Sequence, residues 1–131
     1  MVLDLISDLI ARINNGYMAK LHKIKVLNSR QTMTILALLL KLGYLSGFKV
    51  ISNREIEVYL VYFRNQPAVR KIQRVSKPKQ RIYFGVKELQ NRSALAYSQN
   101  GFFIMSTTAG IITDVEAMML GVGGEVLFQI V

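Results

Sequence analysis

The chain has 131 residues, about half of them apolar, with a formal net charge of +9, a pI near 10.0, no Cys and one His, His22. That size suits one domain or two small ones, and the apolar content is enough to fold around a core. The lack of Cys excludes disulfides and thiolate metal sites. A lone His supplies neither a metal constellation nor a Ser/His/Asp triad, and the charge calls for a polyanionic partner, nucleic acid ahead of an anionic membrane surface.

In chain order, Leu5, Ile6, Leu9, Ile10 and Ile13 recur at helical spacing. Asn14-Asn15-Gly16 then stops the predicted helix, because Asn and Gly accept the left-handed conformation. Asp4 and Asp8 precede the first basic residue, Arg12, unlike a targeting peptide. His22 reads as a surface residue ahead of a strand, Lys23–Leu27. Ser29 is a candidate N-cap for a helix from Arg30 to Leu42, closed by Gly43. The longest apolar run, Ile35 to Leu45, is interrupted by Lys41 and Gly43 and falls well short of the roughly 20 residues of a membrane span. Phe48–Ile51 and Glu55–Phe63 read as a hairpin around Ser52-Asn53-Arg54, with Ile56, Val58, Leu60 and Tyr62 sharing one face.

Asn65-Gln66-Pro67 is a turn and marks the expected boundary between domains 1–66 and 67–131. Beyond it, Val69–Val75 and Arg81–Phe84 read as strands joined through Ser76-Lys77-Pro78-Lys79. Ser93 to Gly101 fits no single pattern. Phe102–Met105 is a strand, Thr113-Asp114-Val115-Glu116 fits a capping box for a short helix ended by Gly121, and Gly123-Gly124 opens a last strand, Glu125–Val131. The expected class is α+β: an αβαββ unit followed by a small, mostly β unit with a short helix.

Charge is distributed unevenly. Residues 64–92 carry nine Lys/Arg against Glu88 alone, whereas residues 93–131 carry three acids and no Lys or Arg. Electrostatic affinity therefore belongs to the middle of the chain, where the cations alternate with Val69, Ile72, Val75, Ile82, Tyr83 and Phe84. The neutral, Gly- and Thr-rich segment after it has three readings. As a phosphate cradle of an enzyme it lacks the Lys-Ser/Thr of a P-loop, does not match GxGxxG, and follows a helix instead of preceding one. As a recognition loop, Ser106-Thr107-Thr108 offers hydroxyls to base edges while Gly110, Gly123 and Gly124 let the backbone come close. As a plain turn, the same hydroxyls only cap and close.

The stretch "STTAGIITDVEAMMLGVGGEV" resembles the signature of the small-subunit ribosomal protein eight family. "IQRVSKPKQRIY" (Ile72 to Tyr83) resembles its second marker, and "DLISDLIARINNG" (Asp4 to Gly16) its N-terminal helix. The resemblance implies a structural, non-catalytic protein that binds the central domain of small-subunit ribosomal RNA at an irregular, bulged helix. Ser106, Thr107 and Thr108 take the loop role against an unpaired base, and Gly123, Gly124 and Glu125 lie beside it. Arg74, Ser76, Lys77, Pro78, Lys79, Arg81 and Tyr83 supply the basic marker, and Ser29 and Arg30 complete the expected RNA-binding set. Expected partners are that RNA and neighbouring small-subunit proteins, with no membrane, small-molecule substrate, cofactor or metal. A regulatory RNA binder outside the ribosome is the other reading of the same surface.

The chain departs from the family pattern at Ala109, where Lys is usual, at Val115, Met118 and Met119, where basic residues are usual, and at Asn14 and Leu5. Fewer phosphate contacts and more apolar surface favour a mitochondrial ribosome over a bacterial one. Met118 and Met119 are adjacent on a short helix, so one is expected in the core and the other exposed.

Overall fold

Alternating and helical apolar patterns give two α+β units in the computed structural model, which describes residues 5–76, 79–89 and 102–130. Unit 1 is Met1–Arg70 and unit 2 is Lys71–Val131, so the division falls after Arg70. No helix among the described residues is long and apolar enough to cross a membrane.

Unit 1 runs α1 (Leu5–Met18), β1 (Lys23–Leu27), α2 (Arg30–Lys41), β2 (Leu45–Val50) and β3 (Glu55–Leu60), followed by the short pair β4 (Tyr62–Phe63) and β5 (Gln66–Pro67). β3 is the middle strand, antiparallel to β1 and to β2. Its alternation buries Ile56, Val58 and Leu60, while Tyr62 is half-buried. α1 packs on β1, α2 on β2, and the helices touch each other. Ile6, Leu9, Ile10 and Ile13 from α1 meet Ile35, Leu36 and Leu39 from α2 in this core. Tyr17 fastens it: its hydroxyl donates to Tyr44 O (2.6 Å) and accepts from Val61 N–H (3.3 Å), and burial raises its pKa. Ser29 is the N-cap of α2, accepting from Thr32 N–H at 3.0 Å.

Two expectations in this unit are corrected. Asn14-Asn15-Gly16 does not stop α1. Gly16 lies inside the helix because a Cβ there would meet Ile24 Cγ2 at 2.7 Å and Leu60 Cδ1 at 3.0 Å, so its small size serves close packing. The turn expected at Asn65-Gln66-Pro67 lies one residue earlier. Arg64 and Asn65 both take left-handed φ (53° and 64°), and Gln66 and Pro67 pair with Phe63 and Tyr62.

Three helices, α1, α2 and α3 (Asp114–Leu120), end in the same double hydrogen bond. In α1, Leu21 N–H donates to Gly16 O and Lys20 N–H to Tyr17 O; in α2, Tyr44 N–H donates to Leu39 O and Gly43 N–H to Leu40 O. In α3, Val122 N–H donates to Ala117 O and Gly121 N–H to Met118 O. The residue at the bend is left-handed each time. It is Gly43 in α2 and Gly121 in α3, but Lys20 in α1, at φ 57°.

Unit 2 is a sheet built around β10 (Gly124–Ile130). One edge of β10 pairs with β8 (Phe102–Thr107), which pairs in turn with β9 (Gly110–Thr113). The other edge pairs with β6 (Ile72–Arg74) and, further along, with β7 (Tyr83–Phe84). The strand expected over Val69–Val75 is thus shorter, although Val75 and Ser76 N–H still bond Leu127 and Val126 O (both 3.1 Å). A register shift against β8 between Val126 and Phe128 marks a bulge, and Val126, Leu127 and Phe128 are all buried. Ser93 to Gly101 lies outside the described residues. β9 was not expected, and β8 runs on through Ser106 and Thr107, so these two belong to a strand and not to a loop.

At the start of α3 the Thr113 half of the expected capping box is present. Glu116 N–H donates to Thr113 Oγ1 (3.2 Å), and the Thr113 hydroxyl faces Glu116 Oε1 at 3.5 Å. As expected of the adjacent pair, Met118 packs against the core of unit 2 and Met119 is exposed. Asp114, in the first turn, has its pKa raised, because burial outweighs the hydrogen bonds it accepts from Val115, Phe103 and its own N–H.

Two outcomes follow from this packing. A Cβ on Gly124 would collide with the carbonyl oxygen of Ser106 and approach Thr107 Cγ2 at 2.9 Å, whereas a Cβ on Gly47 meets only Tyr59 Cδ2 at 3.8 Å. Gly124→Val should therefore cost more than about 2 kcal/mol and Gly47→Ala less than about 0.5 kcal/mol, measured by urea unfolding followed by circular dichroism. A raised folded pKa means that ionised Asp114 subtracts from stability above that pKa, and that the subtraction fades as pH falls through it. Asp114→Asn should be more stable than the parent at pH 7, with the gap closing on acidification.

Candidate nucleic-acid interface

The pairing of β7, β10 and β8 sets Tyr83, Glu125 and Ser106 side by side across the sheet, so their side chains share one face. With Thr107, Thr108, Gly123 and Gly124 they line an open depression of about 360 Å³. Three separate stretches of sequence contribute to it. Gly123 and Gly124 are required by close backbone approach: a Cβ on Gly123 would lie 2.6 Å from Phe84 O, and one on Gly124 against Ser106 O. Neither Gly has positive φ. Tyr83 is 63% exposed, leaving an aromatic ring available for stacking.

The three hydroxyls are not equivalent. Thr107 Oγ1 accepts from Ala109 N–H (3.1 Å) and donates to Gly110 O (2.9 Å), closing the turn from β8 to β9. Its chemistry is committed to the hairpin. No hydrogen bond within the described residues engages the Ser106 or Thr108 side chain, and Thr108 is exposed. These two can present a donor and an acceptor to a ligand.

Of the cations, Arg81 is held at this depression. Arg81 Nη1 pairs with Glu125 Oε2 at 2.9 Å, with about half of its side chain exposed. Lys79 is exposed, and Arg74 Nε donates to Ser76 O. Ser76 itself is a correction. It is wholly buried, its hydroxyl accepting from Ile82 N–H (2.9 Å) and donating to Ile82 O (3.2 Å), so it ties the two basic strands together behind the surface. A Ser between Val75 and Lys77 in a basic run gives no sign of that in sequence. Lys77 and Pro78 lie outside the described residues. Ser29 and Arg30 belong to unit 1, where the Ser29 hydroxyl is used by the cap and Arg30 is exposed.

Among the described residues no three His, Cys, Asp or Glu side chains group as metal ligands. Asp114 and Glu116 are engaged in the first turn of α3. Unit 1 holds a second depression, of about 320 Å³, lined by Lys20, His22, Tyr62 and Asn65. Sequence reasoning missed it, and the basic run from Lys20 to Lys25 was its one signal.

Comparison with known proteins agrees with the resemblance. The chain is 38% identical over 128 residues to small ribosomal subunit protein uS8m of Acanthamoeba castellanii, covering 98% of this chain and 99% of that one. It is 39% identical over 131 residues to uS8 of Rhodopseudomonas palustris strain BisA53, covering 97% and 96%. Against uS8 of Geobacter metallireducens it is 39% identical over 128 residues, covering 95% and 94%. The family model described as ribosomal protein S8 matches residues 4–131, and the chain belongs to that family.

Proposed function

We propose that this chain is a structural protein of the small ribosomal subunit that holds an irregular, bulged helix in the central domain of the subunit's RNA. The family's relatives are named small ribosomal subunit proteins, and the chain is not an enzyme. The observation that carries the RNA reading is the joint depression of Tyr83, Ser106, Thr108, Gly123, Gly124 and Glu125. A stacking ring, two uncommitted hydroxyls and bare backbone are the groups that read an unpaired base, while flanking cations hold phosphates. The glycine turn is accounted for by backbone contact, so a nucleotide-binding enzyme has no support from it. Neighbouring ribosomal proteins are the further partners in this reading. Val115 and Met119, both exposed on α3, stand where the family is usually basic, and they support an organellar ribosome. Relatives of nearly equal identity include both uS8m and uS8 proteins.

Affinity and selectivity should separate. Ser106→Ala and Thr108→Ala should each cost about 1–3 kcal/mol against the bulged site and leave binding to arbitrary duplex RNA and the salt slope unchanged. Thr107→Ala should weaken both RNAs together, because it opens the hairpin turn. Gel-shift titrations on both RNAs across a salt series measure this; equal losses for Ser106→Ala on the two RNAs would remove the recognition role.

Lys79→Gln should weaken all RNA binding and lower the salt slope by about one. Arg81→Gln should cost more, because it also leaves Glu125 unpaired beside the phosphates. A change of sequence preference without a change of slope would refute the phosphate assignment.

A further inference from the structure

The bend that closes α1 puts Lys20 in a left-handed conformation that α2 and α3 reserve for Gly43 and Gly121. A side chain there is strained, and Gly would relieve it. The turn between β4 and β5 repeats the pattern, with Arg64 and Asn65 both left-handed where Asn-Gly is the favoured pair. Lys20, Arg64 and Asn65 are the only non-Gly residues with positive φ among the described ones, and two of them line the depression of unit 1. Strain concentrated at one surface site points to use of the side chains that cause it.

The remaining lining is aromatic. His22 is exposed and meets Tyr62 edge to face, ring centroids 6.0 Å apart. The Tyr62 hydroxyl is occupied by Leu21 O at 2.6 Å, which fixes the ring. The segments of unit 1 that supply the lining, residues 17–25 and 61–70, contain five Lys/Arg and no acid. An open hollow of about 320 Å³ is of the size that receives a small ligand, not a protein helix.

We propose that unit 1 carries its own RNA subsite, in which Lys20 and the Asn65 amide hold a backbone phosphate and His22, braced by Tyr62, stacks on an unpaired base. Cations with a ring beside them are the elements of single-strand recognition. The inference rests on unit 1 alone and stands or falls apart from the depression of unit 2.

His22 is the chain's single His, so its ring resonances are identified without further assignment. The full chain is titrated with single-stranded hexauridylate at constant pH and followed by NMR. The His22 resonances should shift saturably. Lys20→Gly should raise the melting temperature yet weaken the His22 response about fivefold, as expected for one lost charged contact, while the Tyr83 resonances still respond. Lys20→Gln should weaken it similarly without the gain in stability. His22 resonances that do not move, a Lys20→Gly variant that binds as the parent does, or equal shifts from hexaglutamate, which would mark an acidic protein partner, would each overturn the proposal.

Discussion

Residues 123 and 124 admit no Cβ, and unit 2 is arranged around that fact. Phe84 O closes on Gly123 and Ser106 O on Gly124, so the backbones of β7, β10 and β8 converge at the start of β10. With side chains absent there, the floor of the depression is main chain. Tyr83, Ser106, Thr108 and Glu125 stand at its edges. A methyl group at either position would force strands apart, moving Tyr83 relative to Ser106 and dissolving the shared face. The glycines are therefore structural in origin and functional in consequence.

The division of labour between charge and shape has the same local logic. Lys and Arg residues cluster in residues 64–92, whereas the depression contributes one acid, Glu125, already paired with Arg81. A floor bearing its own positive charge would attract any phosphate. A neutral floor leaves discrimination to hydrogen bonds that only a matching edge can complete. Thr107 shows how such a floor is held still, because its hydroxyl serves the turn and so aims its neighbours Ser106 and Thr108.

Much of this was legible in the sequence because it rests on local rules. Ser29 and Thr113 look like caps and are caps; Ile56, Val58 and Leu60 alternate and lie on one buried face. What was not legible depends on partners distant in sequence. Asn14-Asn15-Gly16 carries every mark of a helix end, yet Gly16 is needed inside α1 by Ile24 and Leu60. β9 is four residues long and merges into the cap of α3, and its partner, Ser106-Thr107, looks like a loop. Ser76 sits among charges and is buried because Ile82 folds back onto its hydroxyl. The family resemblance suggested that Gly123, Gly124 and Glu125 lie beside Ser106, but not that Tyr83 joins them. No spacing rule would have found it, since the residues meet only through β10.

The central place of β10 also sets an order of events. Unit 1 assembles from neighbours in the chain: β2 and β3 form a hairpin, and β1 joins it across a single helix. Its contacts close as soon as the first seventy or so residues are available, and short loops close quickly. In unit 2, β6, β7 and β8 bond to a strand that begins only at Gly124. Until that strand leaves the ribosome making it, three strands have open edges, and apolar residues such as Ile72, Phe84 and Ile104 lack their cover. A nascent chain would thus hold a finished first unit and an unfinished, sticky second one for the whole interval of synthesis between them. Lys71, Arg74, Lys79 and Arg81 would keep the exposed edges of β6 and β7 on neighbouring nascent chains repelling one another until the last strand arrives.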